Sequence, residues 1–301
     1  MKKLQQQTLF GSDESVVEQF SVYHDESGHY VPHGRDRWLF HGILFVPDRK
    51  QSEAAGLLKD ARDRSKYYGE VHFKKIQKES GPKGSCAQRW VEVYLSCLSE
   101  YCYFHCLAID THSPKFEHDR FNQAYHAYNY FLKVALVGGI AWSLHKHKQV
   151  ALTIYSDSKG RRYGDNFATY VPRAVQESID SKRSRSTTNY PHLSVSPKVV
   201  LLDSDPRNCS PGFLERVEFL QMADLLTSAV AQAVTASSGL EGKVKLARVL
   251  AFLVQDIRLP PWFQKEGLHR RFNVSAFPGP RGEFYNCSLP ILERNSLRLF
   301  D

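Results

Sequence analysis

The sequence predicts an α/β fold with a C-terminal extension, and three observations predict it. Short apolar, alternating runs recur between longer segments of helical spacing. No Ser/Gly-rich linker separates them, and no internal repeat of fixed period is present. Such a succession argues for one layered domain in which helices cover a sheet. The expected organisation is a polar lead-in over 1–18, an α/β domain over 19–258, and an extension richer in Pro and Gly over 259–301.

Residues 20–25 alternate, with Phe20, Val22 and His24 facing one way and Ser21, Tyr23 and Asp25 the other, which is a strand. Gly28 breaks it, and the apolar run 38–46 reads as a second, buried strand. Residues 52–67 read as a helix, 81–84 as a Gly/Pro loop, 88–100 as a helix and 101–109 as a strand ending at Asp110. A long helix over 121–145 leads to a strand over 150–155 that ends at Asp157. After it come a helix over 166–179, an exposed basic loop over 181–189 and one strand over 193–202. Two helices, 213–236 and 242–257, close the domain, and Pro260-Pro261 ends the second.

The composition, 42% hydrophobic and 24% charged, is that of a folded chain rather than a disordered one. A formal net charge of +8 favours polyanionic partners such as nucleic acid. The six cysteines form no Cys-x-x-Cys pair, so they read as small buried thiols of a reducing compartment rather than a zinc site. The first ten residues lack the apolar core of a signal peptide. The low-charge stretch 219–240 carries Gln221, Asp224, Thr227, Ser228, Gln232 and Thr235, too polar for a lipid-exposed span. A cytoplasmic protein without membrane partners is expected.

Two strands end alike, in Tyr23-His24-Asp25 and Tyr155-Ser156-Asp157. If they are parallel neighbours, both aspartates sit at the carboxyl edge of one sheet, where α/β proteins build their sites. Asp224 is the only charged residue in the 22 positions from 219 to 240, on a helix that must otherwise be largely buried. Three converging carboxylates repel one another unless a divalent cation sits between them, and oxygen-only ligation suits Mg²⁺ or Mn²⁺. Taken singly, Asp25 beside a glycine turn, Asp157 at a helix entry and Asp224 in an ion pair with an arginine have ordinary structural readings.

At these residues the chain resembles the domain-of-unknown-function 3800 family. The matching pieces are Asp25-Glu26-Ser27-Gly28, Phe40-His41-Gly42-Ile43-Leu44-Phe45-Val46 and Gly69-Glu70-Val71-His72-Phe73. The strand into Asp157 and Gln221-Met222-Ala223-Asp224-Leu225-Leu226 complete the set, in the family's order over roughly 19–236. The resemblance implies a ribonuclease H-like mixed sheet flanked by helices, carrying an acidic, metal-binding site. It implies Asp25 as the central metal ligand, with Asp157 and Asp224 completing the set, and Gln221 orienting a ligand or touching substrate. Glu70 and His72 are candidates for a further carboxylate and a general acid/base. Glu26 points to the opposite face of a regular strand, and Asp110 is a reserve ligand. The long tail after Ala236 and His24, where an apolar strand residue is usual, depart from the simplest members.

Lys159, Arg161 and Arg162 follow Asp157 directly and are placed to contact phosphates of a substrate. Two further basic groups, Lys182/Arg183/Arg185 and His269/Arg270/Arg271, read equally as solvated faces. The expected function is a divalent-metal-dependent nuclease or phosphodiesterase acting on DNA or RNA. The alternative is a catalytically inactive nucleic-acid or protein-interaction module on the same fold. A hydrolase built on Ser27 lacks the Gly-x-Ser-x-Gly elbow and is disfavoured. Oligomeric state is left open, a homodimer included.

Overall fold

A computed structural model of the chain describes residues 16–31, 34–121, 123–158, 165–185, 190–255, 271–278 and 285–286. The strands among them are β1 (Glu18–Ser27), β2 (Trp38–Pro47), β3 (Tyr103–Asp110), β4 (Gln149–Asp157), β5 (His192–Val195), β6 (Val200–Leu202), β7 (Phe272–Phe277) and β8 (Tyr285–Asn286). The helices are α1 (Gln51–Ser65), α2 (Pro82–Ser96), α3 (Ala124–Ser143), α4 (Phe167–Arg185), α5 (Leu214–Thr235) and α6 (Glu241–Gln255). They make a mixed α/β structure with one sheet of order β5-β4-β1-β2-β3-β7-β8, and β6 also pairs with β4. β1, β2 and β3 form an antiparallel meander, while β4 runs parallel to β1 and β7 parallel to β3.

Strand alternation divides the apolar residues between two cores, one on each face of the sheet. Phe20 and Val22 of β1 meet Phe131 and Leu132 of α3 and Val171 and Val175 of α4 on one face. Tyr23 faces the other side, with residues of α1, α2, α5 and α6. There Tyr23 stacks on Tyr155 at 5.2 Å and meets Phe219 of α5 at 5.2 Å, seating α5 across the centre of the sheet. No helix among the described residues is long and apolar enough to cross a membrane.

Three elements differ from the sequence reading. The Gly/Pro segment 81–84 is the start of α2: Pro82 occupies the first helical turn, where its missing N–H is no loss. The expected single strand over 193–202 is two strands, interrupted at Ser196-Pro197-Lys198. Proline has no N–H to give a ladder, and Ser196 and Val199 around it donate instead to Leu152 and Ala168 carbonyls. The basic segment 181–185 is the last turn of α4 rather than loop, and 186–189 lie outside the described residues.

The C-terminal region is not wholly an appendage. β7 adds to the main sheet beside β3, with Phe272 opposite Phe104 and Phe277 opposite Ile109. Its six residues alternate as a strand does, but a run that short does not record which strand it will join. The partner strand supplies the burial.

Candidate active site

Backbone register sets the first two carboxylates side by side. β1 and β4 are parallel with His24 opposite Ser156, so Asp25 and Asp157 follow as neighbours at the carboxyl ends of both strands. Gly28 then turns the chain at φ +87, a left-handed conformation that costs glycine nothing. A Cβ there would collide with the Trp38 carbonyl.

The third carboxylate is delivered by close helix–sheet packing. Gly42 lies opposite Asp25 in the β1–β2 ladder, and a Cβ at Gly42 would fall on the Thr227 side chain of α5. The bare backbone lets α5 settle against the sheet at this point, and Asp224 lies one helical turn before Thr227. As a result the Asp25 and Asp224 carboxyl groups are close enough to share a hydrogen bond. Asp25, Asp157 and Asp224 line one cleft of about 420 Å³, together with Glu26, His29, His72, Lys74, Tyr125, Tyr128 and Asp165.

The electrostatics follow from this crowding. Burial holds the Asp25 carboxyl well above the usual carboxylate range, and the charges of Asp224, Glu26 and Asp157 push it further in the same direction. Asp224 is held firmly: its Oδ2 accepts from the Phe73 N–H at 2.9 Å and pairs with His72 Nδ1 at 2.7 Å. Ser228 Oγ donates to its Oδ1 at 3.2 Å. With Nδ1–H given to a carboxylate, Nε2 is the ring position left to exchange a proton. The ring is 30% exposed, at the cleft wall.

Other residues position the first ones. Ser204 Oγ lies within hydrogen-bonding distance of both Asp157 Oδ2 (2.9 Å) and Glu70 Oε1 (3.0 Å), and its single proton serves one of them at a time. Glu70 is buried and ion-paired with Lys75, and it does not line the cleft, so it supports Asp157 through Ser204 rather than offering a ligand. Gln221, 1% exposed, does not line the cleft either. Its Oε1 accepts from the Val71 N–H and from Arg62 Nη2, both at 2.8 Å, and its Nε2 donates to the Ser204 carbonyl at 2.7 Å. That amide ties the 69–73 segment and the 204 loop to α5. Arg62 completes the clamp through Glu218, the Gly69 carbonyl at 2.7 Å and the face of Trp90 at 4.6 Å.

Several expectations resolve differently. Glu26 does face the α3 side, yet it lines the same cleft, because the cleft opens over the strand end; Tyr128 Oη donates to it at 2.8 Å. Asp110 is engaged by Arg37 through two hydrogen bonds and does not line the cleft. His24 packs: it is fully buried against His41 and near Ser156 Oγ at 3.1 Å. Lys159, Arg161 and Arg162 lie outside the described residues, as do His269 and Arg270. Lys182, Arg183 and Arg185 sit at the far end of α4, roughly 22–27 Å from its cleft-side start at 1.5 Å per residue. Among the described residues Cys86, Cys97, Cys102 and Cys209 are free thiols, and Cys86, Cys102 and Cys106 are buried.

Asp165, Lys74 and Ser204 are the additions that sequence reasoning missed. Asp165 carried one signal, an Asp-Asn pair immediately before an apolar helix. Its Oδ1 accepts from the Phe167 N–H at 2.9 Å, which is a helix-capping contact.

The set of three aspartates suits a hard divalent cation, and burial together with the neighbouring acids holds the Asp25 carboxyl above its usual range. Among the described residues, however, no group of three or more His, Cys, Asp or Glu side chains is already arranged as a metal shell. Oxygens of Asp157 and Asp224 are turned toward Ser204, His72 and Phe73. No protein-family description matches this chain, and no curated protein matches it significantly.

Proposed function

We propose that this protein is a divalent-metal-dependent phosphodiester hydrolase, a nuclease on a ribonuclease H-like sheet. The observation that carries the reading is the meeting of three carboxylates from separated parts of the chain in one cleft, with Asp25 and Asp224 in hydrogen-bonding reach. The ribonuclease H-like assignment rests on the motif resemblance and is supported by acids at the carboxyl ends of two parallel strands in a mixed sheet. The net charge of +8 on a chain with an acidic cleft fits a polyanion held at the surface and cut at the acids.

Asp25, Asp157 and Asp224 would hold Mg²⁺ or Mn²⁺, which when bound supplies an activated water and stabilises the leaving oxygen. Asp25 would hold the cation in its ionised form. His72, oriented by Asp224, exchanges a proton at Nε2 with the attacking water or the departing oxygen. Lys74 offers a positive charge at the cleft wall to a substrate phosphate.

The test is incubation of the protein with single- and double-stranded DNA and RNA in Mg²⁺, Mn²⁺ and EDTA, alongside Asp25→Asn and Asp224→Asn. Cleavage that needs the metal and is lost in both variants is the expected result. Cleavage indifferent to either substitution removes the site assignment. Binding without any metal-dependent cleavage, surviving Asp25→Asn, identifies an inactive nucleic-acid-binding module instead.

A further inference from the structure

A second groove adjoins the carboxylate cleft, and nothing in the reading above uses it. It has a volume of about 410 Å³ and runs between the first turns of α3 and α4. Tyr125, His126, Asn129 and Tyr130 line it from one side, Asn166 and Tyr170 from the other, with Arg120 and Phe121 at its end. Tyr125 belongs to both the groove and the cleft.

The chemistry of the lining is specific. Three tyrosines and a histidine offer flat, polar-edged rings, the surface on which an unpaired base stacks. Arg120 lies over the Tyr130 ring at 4.8 Å, a cation at the groove end. Asn129 is 3% exposed, and among the described residues its Oδ1 has no hydrogen-bond partner.

The orientation of that amide is determined. Asn129 Nδ2 donates to Asp165 Oδ1 at 3.2 Å, and a carboxylate oxygen can only accept there. The amide oxygen is therefore the side of the group without a partner among the described residues, and any partner it takes must be a donor. A buried acceptor without a partner carries a desolvation cost, which a donor that reaches it relieves. Asp165 in turn lines the carboxylate cleft, so one amide–carboxylate contact joins the two spaces.

We propose that this groove is a subsite for one unpaired nucleobase, stacked on the α3 and α4 tyrosines and giving an N–H to Asn129 Oδ1. The inference rests on the hydrolase reading for its polynucleotide and deepens it: the strand is single at this position. A base in a duplex has its pairing-edge N–H engaged and both faces stacked, so it cannot enter.

The test is fluorescence anisotropy of labelled single-stranded DNA, the same sequence as RNA, an abasic strand and a blunt duplex. It is run in EDTA and in Ca²⁺, so that binding is read without turnover. Base-bearing single strands are expected to bind roughly tenfold or more tighter than the abasic strand and the duplex. The DNA and RNA arms decide which sugar is preferred. Asn129→Ala and Tyr170→Ala should each shrink the ratio of base-bearing to abasic affinity several-fold. Tyr170 is only partly buried, which keeps a folded variant in hand if Asn129→Ala does not fold.

Equal binding of abasic and base-bearing strands, no binding of single strands, or a ratio untouched by Tyr170→Ala overturns the subsite. Base-dependent binding without cleavage in Mg²⁺ or Mn²⁺ removes the hydrolase reading and keeps the subsite. Equal cleavage of abasic and intact strands does the reverse.

Discussion

Thr227 of α5 occupies the space in which Gly42 of β2 would carry a side chain, and Gly42 is the ladder partner of Asp25. Through that contact a glycine on one strand sets how near Asp224 comes to Asp25. Gly42→Ala should therefore destabilise the fold by about 1–3 kcal/mol, the usual cost of overpacking. It should also reduce metal-dependent cleavage beyond what the lost stability explains. Thr227→Ala removes the nearest obstructing atom, Oγ1, together with Cγ2 and leaves only Cβ, so the double variant should recover part of both losses. Thermal melts and a double-mutant cycle measure the coupling, and strict additivity of the two changes counts against the packing account.

Asp25 carries a cost at neutral pH. At acid pH both the folded and the unfolded chain hold its proton, and the group is neutral to stability. As pH rises through the ordinary carboxylate range the unfolded chain ionises first, while burial and the neighbouring acids keep the folded carboxyl protonated. The folded state is penalised from there upward. Asp25→Asn should raise the Tm at pH 7, by about 2 °C for each kcal/mol relieved, and leave it unchanged near pH 3. Mg²⁺ or Mn²⁺ should raise the wild-type Tm at pH 7 and not that of the variant. An Asp25→Asn protein that melts lower than wild type at pH 7 contradicts the crowding.

His105 has the opposite sign. It is buried between β7 and the Gly138-Gly139 region of α3, hydrogen-bonding Asn273 and Ser275, and burial lowers its pKa to about 4. Above pH 6.5 the ring is neutral in both states and its full contribution is present. Between pH 6.5 and 4 the unfolded ring takes up a proton that the folded ring refuses. Roughly 3 kcal/mol is lost across that window, at about 1.4 kcal/mol per pH unit. Denaturant melts of His105→Gln should show a shallower acid limb than wild type over the same range; an identical limb would falsify the assignment.

His72 divides chemistry from binding. If it moves the proton while Asp224 orients it, His72→Gln should lower kcat by about a hundredfold or more. Oligonucleotide affinity in Ca²⁺ should change little, because the ring forms only one wall of the cleft. A loss confined to KM would make His72 a substrate contact instead.

Much of the site was legible in residue types. Asp25 and Asp157 were visible as matched strand ends and Asp224 as a single charge in an apolar helix, because burying a carboxylate is costly and a chain retains one only with a partner or a cation. Gln221 looked equally functional from its place one turn before Asp224. Its amide proves to be consumed by Val71, Arg62 and Ser204. Sequence spacing gives the face of a helix and not the groups opposite it, so the difference was invisible. Glu26 shows the same limit. Strand alternation assigned its face correctly, but a cleft over the end of a strand is open to both faces.

The sequence alone determined the alternation of strands and helices, the strand ends that carry acids and the helix that buries one, since period and burial cost are local properties. Tertiary structure alone decided that β4 lies beside β1, that α5 crosses at Gly42, that Asp165 joins the cleft and that the 272–277 segment enters the main sheet. Those outcomes depend on pairings between residues far apart in the chain, and no local pattern records which distant partner completes a hydrogen-bond ladder or fills a missing side chain.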